Sequence, residues 1–222
     1  MQLSIIVPVL NEAQALPLLL ERLLPLHGCE LIIADGGSDD GSADIAQCAG
    51  CTLVRSARGR GRQMNAGAAR ASGDVLLFLH ADTQLPDGAA VLVARALAGG
   101  AACWGRFDVR IAGGALMLPV VARMMNLRSR LTGIATGDQA MFVSRAAFDA
   151  VGGFPDQPLM EDVELSKRLR AVSRPACIQR CVTTSGRRWE THGVWRTILL
   201  MWRLRWQYWR GVPASQLAQA YR

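Results

Sequence analysis

The chain has 222 residues, half of them hydrophobic, and a net charge of +7 from 25 basic and 18 acidic side chains. Such a composition argues against disorder apart from the ends and is sufficient for one large α/β domain with its own core. The basic balance suits anionic partners: nucleotide phosphates, nucleic acid or an anionic membrane surface.

Leu3 to Val9 is a continuous apolar run rich in β-branched residues, the pattern of a parallel strand buried on both faces. Asn11 and Glu12 lead from it into a leucine-rich helix over Pro17–Leu24. Leu31–Ile33 is the second strand and stops at the turn-rich acidic loop Asp35-Gly36-Gly37-Ser38-Asp39-Asp40-Gly41-Ser42. A short helix and a strand at Thr52–Val54 follow. Arg58-Gly59-Arg60-Gly61-Arg62 opens the next helix, and Val75–Leu79 is a fourth strand. This alternation predicts a mostly parallel, Rossmann-like sheet covered by helices. The second half is less regular. Helices are expected over Asp87–Leu97, Leu116–Leu131, Arg145–Val151 and from Glu161 to about Arg170. Strands are expected over Ala102–Ile111, interrupted at Gly105, and over Ala140–Val143. No repeat or linker divides the chain, so residues 1–222 read as one domain.

Three acidic clusters follow three apolar runs, where an open α/β sheet binds its ligands. Asp35 and Asp39 sit after the second strand; a carboxylate there either accepts a nucleobase N–H or closes an Asx-turn and caps a helix. His80-Ala81-Asp82 ends the fourth strand and presents a hard oxygen ligand for a cation on a diphosphate. Glu161-Asp162 opens a helix, either as a general base or as charges suited to the helix dipole. Glu164 pairs with Arg168 at i, i+4 and is read as structural. The Arg58–Arg62 cluster suits phosphates at a helix start or an RGG-like nucleic-acid contact. Few aromatics adjoin it for base stacking, which favours a small anionic ligand over nucleic acid.

The six cysteines, Cys48 and Cys51 of a C-x-x-C spacing among them, read as small buried residues without disulfides. In the carboxyl-terminal segment, Trp195, Ile198, Leu199, Trp202, Trp206 and Trp209 share a helical stripe, with Arg196, Arg203 and Arg210 on another face. This helix, residues 194–210, packs on the core, joins a second copy or lies at a lipid interface. His192 before it is a metal ligand or a simple cap. No apolar run reaches the length of a membrane span, and no signal peptide follows Met1. A cytoplasmic protein, in peripheral contact with the inner face of the membrane at most, is the expectation.

The order of these motifs resembles the family 2 glycosyltransferases of the GT-A fold. Val7-Pro8-Val9-Leu10-Asn11-Glu12 resembles their opening strand and N-E turn, and Ala34–Gly41 their D-G-S-x-D-G loop. Arg62, Asn65 and Gly67 resemble the R-x-x-N-x-G helix start. His80-Ala81-Asp82 stands where the D-x-D motif would be, Gly137-Asp138-Gln139 at the acceptor loop, and Glu161-Asp162 at the E-D base motif. The length and Phe78–Thr83 are similar to a small bacterial branch labelled selenodomain-associated transferase 2. The resemblance implies a nucleotide-binding half over residues 1–100, an acceptor half over 101–190 and a Trp/Arg-rich helix over 191–222. It implies inverting, non-processive transfer from a nucleotide-sugar, a UDP-sugar first, to an unknown acceptor. Pro8, Asn11, Glu12, Asp35, Ser38, Asp39, Arg62, Asn65 and Ala81 would bind the nucleotide, and Gly137, Asp138 and Gln139 the sugar and acceptor. Asp82, with His80 and His192 as further candidates, would hold Mg²⁺ or Mn²⁺. Asp162 would be the base, with Glu161 as its stand-in. Two departures stand out: His80 replaces the first Asp of D-x-D, and Gly186-Arg187-Arg188-Trp189 only faintly echoes the Q-x-x-R-W of processive synthases. The competing classes are a nucleotidyltransferase, whose glycine-rich loop is missing after the first strand, and a non-catalytic membrane or nucleic-acid adaptor.

Overall fold

The apolar runs form the centre of an eight-stranded sheet in a computed structural model that describes residues 1–221. Strands β1 (Leu3–Val9), β2 (Cys29–Asp35), β3 (Thr52–Arg55) and β4 (Val75–Phe78) stand in the order β3-β2-β1-β4 and run parallel. Helices α1 (Leu16–Leu23), α2 (Ser42–Cys48) and α3 (Arg60–Arg70) make the crossovers. The second half adds β5 (Thr83–Gln84), β6 (Trp104–Ala112), β7 (Phe142–Ser144) and β8 (Ala176–Ser185), and the order continues β4-β7-β6-β8-β5. The mostly parallel sheet takes its antiparallel pairings here. β7 is antiparallel to both β4 and β6, β8 runs parallel to β6, and β5 is antiparallel to β8.

Strand alternation explains the layers. Leu3, Ile5, Val7 and Val9 pack with Leu16, Leu19, Leu20 and Leu23 of α1 and with Ala89 and Val93 of α4 (Ala89–Leu97). Their neighbour Ile6 faces the other way, onto Met64 and Ala68 of α3. That second core also takes Phe148 of α6 (Arg145–Ala150) and Leu165 and Leu169 of α7 (Glu161–Val172). Burying each such Leu, Ile or Phe contributes roughly 1.5–3 kcal/mol, so a sheet buried on both faces dominates the stability. Helix α3 lies tight on β1: a Cβ on Gly67 would sit 2.5 Å from Ile6 Cγ2.

Gly105 does not interrupt β6. The strand runs through it, and a Cβ there would meet the Phe142 ring and the Ala176 carbonyl. Helix α5 (Leu118–Thr132) is fixed to β6 by polar groups. Asn126 brackets Val109, accepting from its N–H (2.8 Å) and donating to its C=O (3.0 Å). Arg106, with no solvent exposure, pairs with Asp108, which also receives Arg130 of α5.

The remaining helices are α8 (Arg187–His192), α9 (Val194–Trp209) and α10 (Ala214–Tyr221). The periodicity had pointed to neither α8 nor α10. α9 is not absorbed into the core: Trp195, Leu199, Trp202, Trp206 and Trp209 are all exposed, and only Ile198 of the expected stripe packs inward. The cysteines depart from expectation too. None is fully buried: Cys48 is exposed at the end of α2, and Cys181 is exposed because β8 turns its central residues outward.

Candidate active site

The loops after β1 and β2 are stitched together by their own side chains. Asp35 is buried, and its carboxylate accepts the N–H of Gly37 (3.0 Å) and of Ser38 (3.2 Å) and the Ser38 hydroxyl (2.5 Å). Ser38 Oγ in turn accepts the Asn11 N–H (3.0 Å), and Asn11 Oδ1 accepts the Asp39 N–H (3.0 Å). Glu12 N–H donates to Ser42 Oγ and Ala13 N–H to Asp40, each at 2.9 Å. Asn11 adopts φ 57°, a conformation that Asn tolerates because its short amide bonds locally. Asp35, Ser38, Asp39 and Asn11 therefore shape the floor and do not line the cavity above it.

That cavity, about 540 Å³, opens at the carboxyl ends of β1 and β4 and is large enough for a nucleotide-sized ligand. Pro8, Glu12, His80, Ala81 and Asp82 line one side, and Gly137, Asp138, Glu161 and Asp162 another. Five arginines surround it: Arg58 and Arg60 at the start of α3, Arg187 and Arg188 of α8, and Arg205 of α9. Thr197, Met201 and Arg205, at i, i+4 and i+8, put one face of α9 over the cavity, while the tryptophans occupy the opposite face. The carboxylates and guanidiniums together suit a strongly anionic ligand bound with a cation.

The electrostatics follow from burial and neighbours. Burial pushes the Glu161 carboxyl up, and the adjoining Asp162 adds to this against the opposing field of Arg60. Glu12 is likewise raised, first by burial, against Arg187 3.9 Å away, with Asp82 and Asp40 pushing further up. Asp138 is held below the usual carboxylate range: its burial is outweighed by the hydrogen bond from His80, 3.5 Å away, and by Arg60 and Arg205. Asp162 is aimed by two backbone amides, Gly137 N–H on Oδ2 (2.8 Å) and Val163 N–H on Oδ1 (2.7 Å). A Cβ on Gly137 would collide with the His80 imidazole, so only glycine lets this loop reach Asp162. Met160, immediately before Glu161, takes φ 64°, a strained start to α7 beside reactive groups.

Several expected residues hold the frame instead. Arg62 forms a bidentate pair with Asp156 (2.6 and 2.9 Å) on the surface, and Arg60 takes its place at the cavity. Asn65 bonds both backbone groups of Phe154 (2.9 and 3.0 Å), anchoring the loop that leads to Glu161. Gln139 is buried, and its side chain accepts the Thr136 N–H (3.2 Å) in a capping box. His192 is exposed and lines a separate cavity of about 370 Å³ with Arg188, Arg196 and Arg203, away from Asp82. Residues the sequence did not single out include Gln63, whose Nε2 bonds the carbonyls of Val9 (2.7 Å) and Ala34 (2.9 Å), tying β1 to β2 at the rim.

Among the described residues, no three His, Cys, Asp or Glu groups converge on one point. His80 is engaged by Asp138, whereas Asp82 lines the cavity without an ion pair among the described residues. One carboxylate does not make a protein cage for a metal, but it fits Mg²⁺ or Mn²⁺ delivered on a diphosphate with water ligands. Among the described residues no helix is long and apolar enough to cross a membrane.

Known proteins share this fold. Residues 4–151 match the model of "Glycosyl transferase family 2". The undecaprenyl-phosphate 4-deoxy-4-formamido-L-arabinose transferase of Serratia proteamaculans is 34% identical over 98 residues, 38% of this chain and 30% of that protein. Its counterpart in Pseudomonas syringae is 35% identical over 96 residues, 37% and 28%. The chain thus spans about a third of the length of these curated relatives. Among solved structures, S. aureus TarS 1–349 superposes with a TM-score of 0.66 at 17% identity, covering 84% of this chain and 61% of TarS. Glucosyl-3-phosphoglycerate synthase of Mycobacterium tuberculosis, in complex with Mn²⁺, UDP and phosphoglyceric acid, does so at 0.62 and 22% identity, covering 82% and 69%. The family model matches well over half the chain: the protein belongs to glycosyl transferase family 2 and has the GT-A fold.

Proposed function

We propose that the protein transfers a sugar from a UDP-sugar to an acceptor hydroxyl, with inversion and one sugar at a time. The observation that carries this is the sharing of one arginine-ringed cavity by Asp82 and Asp162. Glu12, Pro8 and Ala81 line the nucleotide side, over the floor built by Asn11, Asp35, Ser38 and Asp39. Asp138 and Gly137 border the sugar and acceptor. Asp162, held by its two amides, takes the proton of the acceptor hydroxyl as that oxygen bonds to the anomeric carbon. The bond from that carbon to the phosphate oxygen breaks, and the UDP leaving group gathers negative charge. Arg58, Arg60, Arg187 and Arg188 meet that charge in a cavity partly shielded from water. Asp82 would hold Mg²⁺ or Mn²⁺ here, and the cation would supply further positive charge against the charge developing on the leaving group. The Mn²⁺ and UDP of the mycobacterial neighbour support this assignment.

The protein works against a membrane surface. Exposed Trp195, Leu199, Trp202, Trp206 and Trp209 of α9 are joined by exposed Leu116 beside α5 and by exposed Val120, Met124, Leu127 and Leu131 on it. Neither helix contains an acidic residue, whereas Arg196, Arg203 and Arg210 are exposed beside the Trp stripe. An anionic lipid surface complements that pattern, and a self-dimer through it would face arginine with arginine. The relatives named for transfer to undecaprenyl phosphate fit the same location. A screen of UDP-, GDP- and dTDP-sugars with Mn²⁺, read by release of free nucleotide diphosphate, tests the activity. Turnover with a UDP-sugar is expected; absence of turnover and of UDP binding would overturn it. Flotation with anionic vesicles, lost on replacing Trp202 and Trp206 by Ser, tests the location.

A further inference from the structure

The fold neutralises its structural arginines and leaves two beside the reacting groups uncompensated. Arg106 has Asp108 and the Asn126 carbonyl, and Arg145 donates to three backbone carbonyls, those of Ala68, Ala71 and Gly73. Arg128 of α5 is different. Its Nε and Nη2 are buried, and neither meets an acceptor among the described residues. Arg205 of α9 stands close enough to repel it, lines the cavity, and joins no ion pair among the described residues. Burial, then this mutual repulsion, pushes the Arg128 guanidinium down to about 10, and burial lowers Arg205 as well. Guanidinium nitrogens withdrawn from water without partners, as those of Arg128 are, cost the folded protein stability unless a ligand anion completes the site.

The charges that oppose this locate the pair. The carboxylates acting on both Arg128 and Arg205 are Asp162 and Asp138, the base and the acceptor loop. Asp82 acts instead on Glu12, beside Arg187 and Arg60. Arg205, the member of the pair that lines the cavity, therefore stands on the acceptor side, apart from Asp82 and Arg187.

We propose that Arg128 and Arg205 together bind an anionic group, phosphate or carboxylate, carried by the acceptor, and so set its hydroxyl against Asp162. The inference rests on the transferase reading. Arginine is suited to the task because its planar fork offers paired donors to an oxyanion. The pair lies where α5 and α9, the helices with exposed apolar stripes, come together, so the anion belongs either to a small phosphorylated or carboxylated acceptor or to a lipid headgroup reaching in from the membrane.

The test is calorimetry on the full chain with two probes, UDP plus Mn²⁺ and inorganic phosphate, each in the presence and absence of the other. Wild type should bind phosphate while saturated with UDP and Mn²⁺. Arg128→Met and Arg205→Met keep the aliphatic stem and should each weaken phosphate binding by roughly tenfold or more, the worth of a charge-assisted contact. Their UDP affinity, which also reports that they are folded, should change by less than about threefold, and Arg205→Lys should retain part of the phosphate binding. Displacement of phosphate by UDP, or phosphate binding in both variants as tight as in wild type, would overturn the proposal. Failure of wild type to bind UDP would instead strike the transferase reading while leaving the phosphate measurement legible. Competition by vesicles containing phosphatidic acid, but not by phosphatidylcholine alone, would assign the anion to a lipid headgroup; competition by soluble phosphomonoesters only would assign it to a small acceptor.

Discussion

Asp162→Asn separates base catalysis from binding. The carboxylate accepts two amides, Gly137 N–H on Oδ2 and Val163 N–H on Oδ1. Asparagine has one oxygen, so one of these amides must face an NH₂ group. Losing that hydrogen bond costs about 1–3 kcal/mol of stability, which for a domain of this size lowers Tm by roughly 2–4 °C per kcal/mol. The amide has no useful proton affinity, so the base contribution goes as well. That loss is roughly 10²- to 10⁴-fold in kcat, or about 3–5 kcal/mol of barrier. UDP affinity with Mn²⁺ should stay within about threefold, because the amide removes a carboxylate on the acceptor side and none from the nucleotide side. Stopped-point measurement of UDP release, calorimetry with UDP and a thermal melt give the three quantities. Turnover within about fivefold of wild type, in a protein that has lost the expected stability, would remove Asp162 from the chemistry.

Two further perturbations follow from burial and packing. Glu161 has a raised pKa in the folded state, so its ionisation opposes folding: stability is greatest below its ordinary 4.5 and falls as pH rises through the folded value. Glu161→Gln should therefore raise Tm at pH 7 and lose that gain toward pH 4; an equal gain at both pH values would contradict the assignment. Gly67→Ala forces a methyl against Ile6 Cγ2 and should cost about 1–3 kcal/mol in denaturant unfolding, where an unchanged midpoint would mean that α3 is not seated on β1 as described.

Much of this was readable from the chain, for identifiable reasons. β1 and β4 are buried on both faces, as is the second half of β2, so their runs of Ile, Leu and Val have no other use. β8 escaped notice because most of its residues are half-buried or exposed, with a register shift opposite Phe107 and Asp108, so neither an apolar run nor a clean alternation marks it. The Arg58–Arg62 motif pointed to the phosphate side, but helix phase decides which arginine serves. α3 begins at Arg60, and two residues turn the chain by about 200°, so Arg60 faces the cavity and Arg62 faces Asp156. Asp35 was legible as important and not as buried, since only the folded loop shows its carboxylate occupied by Gly37 and Ser38. The amphipathic character of α9 was visible. That its polar face roofs the cavity while its tryptophans stay in solvent depends on contacts distant in sequence, as does the meeting of Arg128 with Arg205.

The central claim is that Asp82 holds a divalent cation against the diphosphate of a nucleotide in the arginine-ringed cavity. Calorimetric titration of UDP into wild type and Asp82→Asn, each with Mn²⁺ and with chelator, measures it directly. Binding that requires Mn²⁺ in wild type and is lost in Asp82→Asn is the predicted result. UDP binding of equal strength in all four titrations would contradict it.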